Sequence, residues 1–474
     1  MMQLLQAARL LDAALVGDDV PFRAVSTDSR SIHAGDLFVA LRGERHDGHA
    51  YLPQVAASGA VAAMVDARHV AAAPSGSAPL SQLVVPDTRE GLGELSRHWR
   101  RRFDLPLILV VGSNGKTTVK EMIAAILRAH YGDDAVLATQ GNFNNDIGLP
   151  LTLLKLQPKH RAAVIELGMN HRGETARLAR LAQAGIVLIN NAQREHQEFM
   201  QSVAEVAEEH ADALTGASQV VLNGDDAHLA LWQRKAPGAL QHCFGVGAAQ
   251  PFHARRLPAD AATGAMAGAP AETAQQIELV TPSGSVRCSL AIDGEHNLRN
   301  AAAAAAAAMA AGASLQAVAQ GLSAFRPANG RLQRHVGRFG SSVIDDSYNA
   351  NPDSVRAAIE VLAALPAPRL LLLGDMGEVG QQGAAFHAEA AAYARQCGID
   401  YLITAGALSA GSGVAFGASA EHAADADAAG VLALRRLGLL AGSGQSASVL
   451  VKGSRFMRME RAVAQLLQGV AHAA

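Results

Sequence analysis

Residues 112–117, Gly-Ser-Asn-Gly-Lys-Thr, carry the most readable chemistry in this chain of 474 residues. Two glycines let backbone N–H groups curl around phosphate oxygens. The lysine after the second brings a compact positive charge to the β- and γ-phosphates, and the threonine hydroxyl is placed for Mg2+. The usual spacing, G-x-x-x-x-G-K-[ST], would want glycine where Val110 stands, so the loop is a shortened one. Only six of the 40 basic residues are lysines. In a chain that otherwise uses arginine, a lysine at this point argues that the point charge of an ammonium matters. Gly112, Ser113, Asn114, Gly115, Lys116, Thr117 and Thr118 are therefore expected to bind ATP. A triphosphate needs a metal ion, and Glu166, closing the apolar run AAVIELG, is a candidate Mg2+ ligand beside Thr117. His196, in EHQEF after the run GIVLINNA, falls at the same edge.

These residues need a scaffold that gathers them, and the hydrophobic pattern supplies one. LPLILVVG reads as a buried strand, and after the loop Val119, Met122, Ile123, Ile126 and Leu127 recur on one helix face. AAVIELG, GIVLINNA and SQVVLNGDD read as further buried strands, which predicts a central, mainly parallel sheet of phosphate-loop type over residues 105–326. Residues 1–104 mix short strands with turn chemistry and end in the polar helix REGLGELSRHWRRRF, a mixed α/β N-terminal domain. Residues 327–474 repeat the alternation with SSVIDDSYN, PRLLLLGDMGE, IDYLITAG and SVLVKGSR, a C-terminal Rossmann-like α/β domain with polar turns at its strand ends, where ligands bind in open sheets. The stretch LPADAATGAMAGAPAETAQQ reads as a mobile surface loop.

Bulk properties exclude several classes. Forty basic against 43 acidic residues, a net charge of -3, provide no basic field for nucleic acid. Cys243, Cys288 and Cys397 are too few and too scattered for a disulfide framework, which fits a reducing compartment. The N-terminal MMQLLQAARLLDAAL reads as an amphipathic helix of a folded domain, not a signal peptide, and no run reaches the length of a membrane span. A soluble, cytoplasmic monomer without membrane insertion is expected.

The order of these features resembles the ATP-dependent Mur ligases of peptidoglycan synthesis, over nearly the whole chain. The marks are GSNGKT, Glu166, EHQEF, HNLRN at 296–300, GR at 330–331, DDSYNAN and LVKGSR. Within the family, TQGNFNNDIGLP, DDSYNANPDS and LGDMGEVG resemble the member that joins D-alanyl-D-alanine to UDP-N-acetylmuramoyl-tripeptide; DNPR, which marks the ligase of the preceding step, does not occur. The resemblance implies that the phosphate goes to the C-terminal carboxylate of the tripeptide, giving an acyl phosphate that the amine of D-alanyl-D-alanine attacks. It implies catalytic roles for Lys116, His196, Arg331 and Lys452, with His196 as a second metal ligand, Asn300 against adenine and Asp346 against ribose. Ser29 and Arg30 would contact the uridine diphosphate, and Asn142 and Asn145 the peptide. Read without the family, helix capping competes with the adenine role of Asn300; His296 and Asn297 read as structural, Arg331 as a solvated arginine, Ser29 and Arg30 as a common Ser-Asp turn, and Asn142 and Asn145 as a glycine-asparagine turn. A phosphate-loop kinase would use the same Lys116 but keep the phosphate on its product, and a non-catalytic nucleotide-binding module would need no convergence of His196, Arg331 and Lys452.

One departure stands out. Members of the family commonly carry, one helix after the histidine motif, a lysine carbamoylated by CO2. This chain has no lysine between Lys159 and Lys235, and His210 falls at that position, after Glu208 and Glu209. Catalysis is therefore expected to be independent of CO2, with His210 in the lysine's structural place; the alternative for Glu208 and Glu209 is a solvated helix face.

Overall fold

The structure is a computed structural model and describes residues 1–44, 46–72, 80–258 and 274–469. Most of the stretch read as a mobile surface loop lies outside the described residues. Three large α/β sheets follow one another along the chain. The first has the order Ala14–Val16, Ser81–Val85, Ala62–Asp66, Asp36–Val39, Ala24–Ser26, parallel except for its first strand. The third has the order Gln333–Val336, Ser342–Asp346, Ser448–Lys452, Arg369–Gly374, Tyr401–Ala405, Ala420–Ala423, and only the Gln333–Val336 edge is antiparallel.

The central sheet has nine strands. Seven form the expected parallel core, and the hairpin Gln275–Thr281 with Gly284–Leu290 adds an antiparallel edge that the apolar runs do not announce. Its middle strand, Leu107–Val111, is completely buried between Ala162–Glu166 and Ile186–Ile189, as an apolar run covered on both faces requires. Register then does the gathering: Glu166 lies opposite Val110 and Ile189 opposite Val111, so Glu166, the phosphate loop and residues 190–196 leave the sheet at one edge. In the third sheet the parallel register sets Asp346 beside Lys452 at the carboxyl end.

Two helices fix the loop from behind. Lys116–Tyr131 buries Val119, Met122, Ile123, Ile126 and Leu127, the face read from the sequence. Glu295–Ala310 packs against it with Ala301 to Ala308 entirely buried; methyl side chains let the helix approach the sheet closely, and its first turns carry Asn297 and Asn300 under the loop. The N-terminal segment forms the amphipathic helix Leu4–Leu11, with Leu4, Ala7 and Ala8 buried, and the polar helix spans Thr88–Arg100, capped by Asp87. Among the described residues no helix is long and apolar enough to cross a membrane.

Candidate functional site

Strand Leu107–Val111 runs into the phosphate loop and helix Lys116–Tyr131 begins from it. Gly112 and Gly115 take φ of 137° and 81°, and a Cβ on Gly115 would stand 2.8 Å from Asn190 Nδ2 and 3.0 Å from Asn300 Oδ1, which only glycine avoids. Asn190 Nδ2 donates to Asn114 O (2.8 Å) and Asn300 Oδ1 (3.0 Å), and Asn300 Nδ2 donates to Asn297 Oδ1 (2.9 Å). Asn300 is thus part of an amide network under the loop. The capping alternative fails, because the helix starts at Glu295 with Gly294 as its cap. Lys116 folds back over the loop and donates to Gly112 O (2.5 Å) and Ser113 O (3.2 Å).

Glu166 is 2% exposed. Its Oε1 accepts from Asn144 Nδ2 (2.8 Å), while Oε2 is buried without a hydrogen-bond partner among the described residues. An orphan carboxylate oxygen on a residue that lines the same cavity as Thr117 suits a hard divalent cation that would take its remaining ligands from phosphate and water. No cluster of three His, Cys, Asp or Glu side chains able to hold a metal by themselves occurs among the described residues. His196 is differently engaged. Its Nδ1 lies 2.5 Å from Glu378 Oε2 and its Nε2 3.8 Å from Glu195 Oε2, so both ring nitrogens face carboxylates. The His196 ring beside it holds Glu378 below the usual carboxylate range against its burial. Burial would raise Glu195, yet Lys116 and the His210 and His196 rings outweigh it and hold the acid at about 2.

The third sheet closes the site. Lys452, 3% exposed, donates to Asp346 Oδ2 (2.6 Å) and Asn349 O (2.8 Å), while Asp346 Oδ1 accepts from Leu332 N (3.2 Å). Burial raises the Asp346 carboxyl and Lys452 only partly offsets it. Burial also pushes His296 down to about 4, aided by Arg299 and Lys452, so its ring is neutral near pH 7. The Arg331 guanidinium lies over the Tyr348 ring, 4.3 Å from its centroid. Contacts cross between the sheets: Asn351 Nδ2 donates to Asn114 Oδ1 (2.8 Å), and Arg194 pairs with Asp353 (2.7 Å) and Glu389 (2.9 Å). Of seven non-glycine residues with positive φ among those described, His196, Leu332 and Glu378 line this site. Such conformations cost of order 1–3 kcal/mol each and persist where the surroundings impose them.

One cavity of about 1060 Å³ gathers these groups: Ser113 to Thr118, Asn142, Asn145, Glu166, His196, Asn300, Arg331, Asp346 and Lys452 all line it. Gly112 shapes the loop from outside the lining, and Ser29 and Arg30 are not brought to it; Arg30 is exposed and ion-paired with Asp28 (2.8 Å). Asn145 Oδ1 accepts from Gly148 N (2.9 Å) at the start of the next helix, the turn role weighed above, and the neighbouring Asn144 makes the contact to Glu166.

Comparison with known proteins agrees with this geometry. The model of the Mur ligase family catalytic domain matches residues 21–100, that of the Mur ligase middle domain 110–308, and that of the Mur ligase glutamate ligase domain 330–455. The UDP-N-acetylmuramoyl-tripeptide--D-alanyl-D-alanine ligase of Escherichia coli (strain K12) is 38% identical over 473 residues, 97% of each chain. The chain belongs to the Mur ligase family. The Haemophilus influenzae enzyme of the same name is 37% identical over 97% of each chain. A crystal structure of MurF from Acinetobacter baumannii superposes with a TM-score of 0.87 at 31% identity, covering 98% of each chain. The MurF ligase from Thermotoga maritima in complex with ADP shares the fold, with a TM-score of 0.76 at 22% identity over 94% of this chain and 97% of that one.

In this Mur ligase, sequence reasoning missed Asn144, Asn190, Glu195 and Glu378. Asn190 and Glu195 sit in the strand-end segment NNAQREH already singled out for His196, and a polar run at a parallel strand's carboxyl end was the available signal. Glu378 lies in the strand-end turn GDMGE. Glu209, weighed as a solvated residue, instead accepts from Gly173 N (2.9 Å) and Thr175 N (2.9 Å) at a helix start, whereas Glu208 pairs with Lys235 (3.3 Å) at the surface.

Proposed function

We propose that this chain joins D-alanyl-D-alanine to UDP-N-acetylmuramoyl-tripeptide at the expense of ATP, through an acyl phosphate formed in the cavity between the central and third sheets. The carrying observation is the arrival of Lys116, Glu166, Arg331 and Lys452 from two sheets at one cavity, in a chain 38% identical along its length to a ligase of that name. A carboxylate is a poor electrophile: its charge repels nucleophiles and oxide is a poor leaving group. A tripeptide carboxylate oxygen bonds to the γ-phosphorus as the bond to the β-phosphate oxygen breaks and ADP leaves. The dipeptide amine then attacks the carbonyl carbon, the carbon–oxygen bond to phosphate breaks, and nitrogen sheds its proton as the amide forms.

Phosphoryl transfer asks a protein for positioning and charge more than for covalent chemistry. Lys116 turns its ammonium from the loop carbonyls to the β- and γ-phosphates, and the loop amides hold the remaining oxygens. Asn300 and its amide network set the loop's height, and Arg331 presents a cation from the opposite wall. Thr117 and Glu166 would hold Mg2+, which supplies charge neutralisation on the phosphates when bound. A second ion at His196 would have to compete with Glu195 and Glu378. We assign UDP-sugar binding to residues 1–104, ATP binding to 105–326 and the closing Rossmann-like unit to 327–474, and place the protein in the cytoplasm, where its UDP-linked substrate and ATP are available. The supporting measurement is ADP and phosphate release from ATP, with and without each acceptor. D-Alanyl-D-alanine with the UDP-linked tripeptide should stimulate it, and meso-diaminopimelate with the UDP-linked dipeptide should not. The reverse result moves the protein to the preceding step, and phosphate retained on a small hydroxyl product makes it a kinase.

A further inference from the structure

The reaction above leaves one enclosed charge in the cavity wall without a task. Glu195 is 6% exposed, and its carboxylate faces three nitrogen bases or cations from three places in the chain. Oε2 lies 3.5 Å from Lys116 Nζ and 3.8 Å from His196 Nε2, and Oε1, which makes no hydrogen bond among the described residues, lies 3.2 Å from His210 Nε2 as an ion-pair contact. His210, 1% exposed on helix Val203–Ala211, also approaches Ser113 Oγ at 3.4 Å, so its ring ties that helix to both Glu195 and the phosphate loop. Its Nδ1 is buried without a hydrogen-bond partner among the described residues, which leaves Nε2 as its one polar attachment. A carboxylate this deep is retained only where its partners hold it, and these partners include the phosphate-binding lysine itself.

We propose that Glu195 is a positioning residue for phosphoryl transfer: it sets the Lys116 ammonium and the His196 ring over the phosphate loop, and His210 holds Glu195 in place. The assignment rests on the ligase reading above. A lysine side chain has four rotatable bonds, and a carboxylate 3.5 Å away biases the ammonium without binding it in a short pair, so Lys116 is free to turn to phosphate. The same carboxylate repels a triphosphate, so it does not add to nucleotide affinity. Its contribution belongs to turnover, through the angle at which Lys116 meets the transferring group. His210 does not itself line the cavity and acts through Glu195 and Ser113.

The test uses the full-length enzyme and its Glu195→Gln, Glu195→Asp and His210→Gln variants, together with the Glu195→Gln/His210→Gln double variant. Acceptor-dependent phosphate release, calorimetric affinity for ADP with Mg2+, and thermal unfolding are measured for each. Glu195→Gln should lower kcat by about tenfold or more, leaving ADP affinity unchanged or tighter, and Glu195→Asp should recover part of the loss. His210→Gln should lower kcat by a smaller factor and add little in the double variant, since it acts through the same carboxylate. Unchanged kcat in Glu195→Gln, a loss of ADP affinity in step with kcat, or fully additive losses in the double variant would overturn the assignment. If Glu195→Gln does not fold, His210→Gln decides, and turnover equal to that of the unmodified enzyme would count against the proposal. An unmodified enzyme that releases no phosphate with D-alanyl-D-alanine overturns the ligase reading and this assignment together; an active one with an indifferent Glu195→Gln variant overturns the assignment alone.

Discussion

Lys116 shows what a single residue position reveals in advance. Glycine, glycine and lysine at fixed spacing have few other uses, because the loop needs φ values that other residues avoid and a charge where the phosphates lie. Replacing Lys116 by Met keeps the stem and removes the charge. It should reduce kcat by about 10²- to 10³-fold and, because the enclosed Glu195 loses its cation, lower the thermal unfolding midpoint, as steady-state kinetics and calorimetric scans would show. Glu195 was not legible in the same way: its partners Lys116 and His210 lie on other elements, and no sequence spacing connects a carboxylate to an ammonium in a different turn. Ser29 and Arg30 lie in the first unit, away from this cavity, where Arg30 pairs with Asp28 at the surface. His210 lies against Glu195 and the loop, in a region where the chain provides its own carboxylate. Initial rates in bicarbonate-depleted buffer at mildly acidic pH should therefore equal those after bicarbonate is added; recovery of a lost rate would show that CO2 is needed after all.

Elements were legible where burial on both faces leaves a continuous apolar run. The runs LPLILVVG, AAVIELG, GIVLINNA and SQVVLNGDD became the strands Leu107–Val111, Ala162–Glu166, Ile186–Ile189 and Gln219–Asn223, because a parallel strand covered on both faces must be apolar throughout. The antiparallel hairpin at the sheet edge was missed, since Ile277 and Leu279 alternate with polar residues beside an Ala-, Gly- and Pro-rich stretch and leave no continuous run. The strained turns at His196, Leu332 and Glu378 were likewise invisible: nothing in a residue's own type announces a positive φ that its neighbours impose. Gly115 is the reverse case, with type and conformation in agreement. Gly115→Ala would demand φ near 81° and bring a methyl against Asn190 and Asn300. It should cost of order 1–3 kcal/mol of stability and weaken ADP binding at least as much as it lowers kcat, because the loop itself is displaced. Intact ADP affinity in a folded Gly115→Ala protein would show that the amide network under the loop yields more easily than its packing suggests.

At the scale of the molecule, the sequence reveals that three α/β units exist but not how they meet. That information sits in pairs distant along the chain: Asn114 with Asn351, Arg194 with Asp353 and Glu389, His196 with Glu378. These contacts seat the third unit on the phosphate loop, and the cavity exists only while they hold. Lys452 belongs to this arrangement. It is buried at the carboxyl end of its strand, tied to Asp346 and Asn349, with the nucleotide loop on the facing unit. If ATP first binds the loop and the third unit then closes over it, Lys452 is absent from the first step and present in the second. Lys452→Ala should therefore lower turnover by a larger factor than it weakens ADP or ATP binding. Removing the lysine also leaves Asp346 enclosed without its cation, which lowers stability. Because burial already raises that acid, uptake of a proton would limit the loss, and Lys452→Ala/Asp346→Asn serves as the control that removes the stranded charge. The control should regain thermal stability without regaining turnover. Equal losses of affinity and turnover in both variants, by calorimetry and steady-state kinetics, would mean that Lys452 binds nucleotide from the outset and that closure is not a separate step.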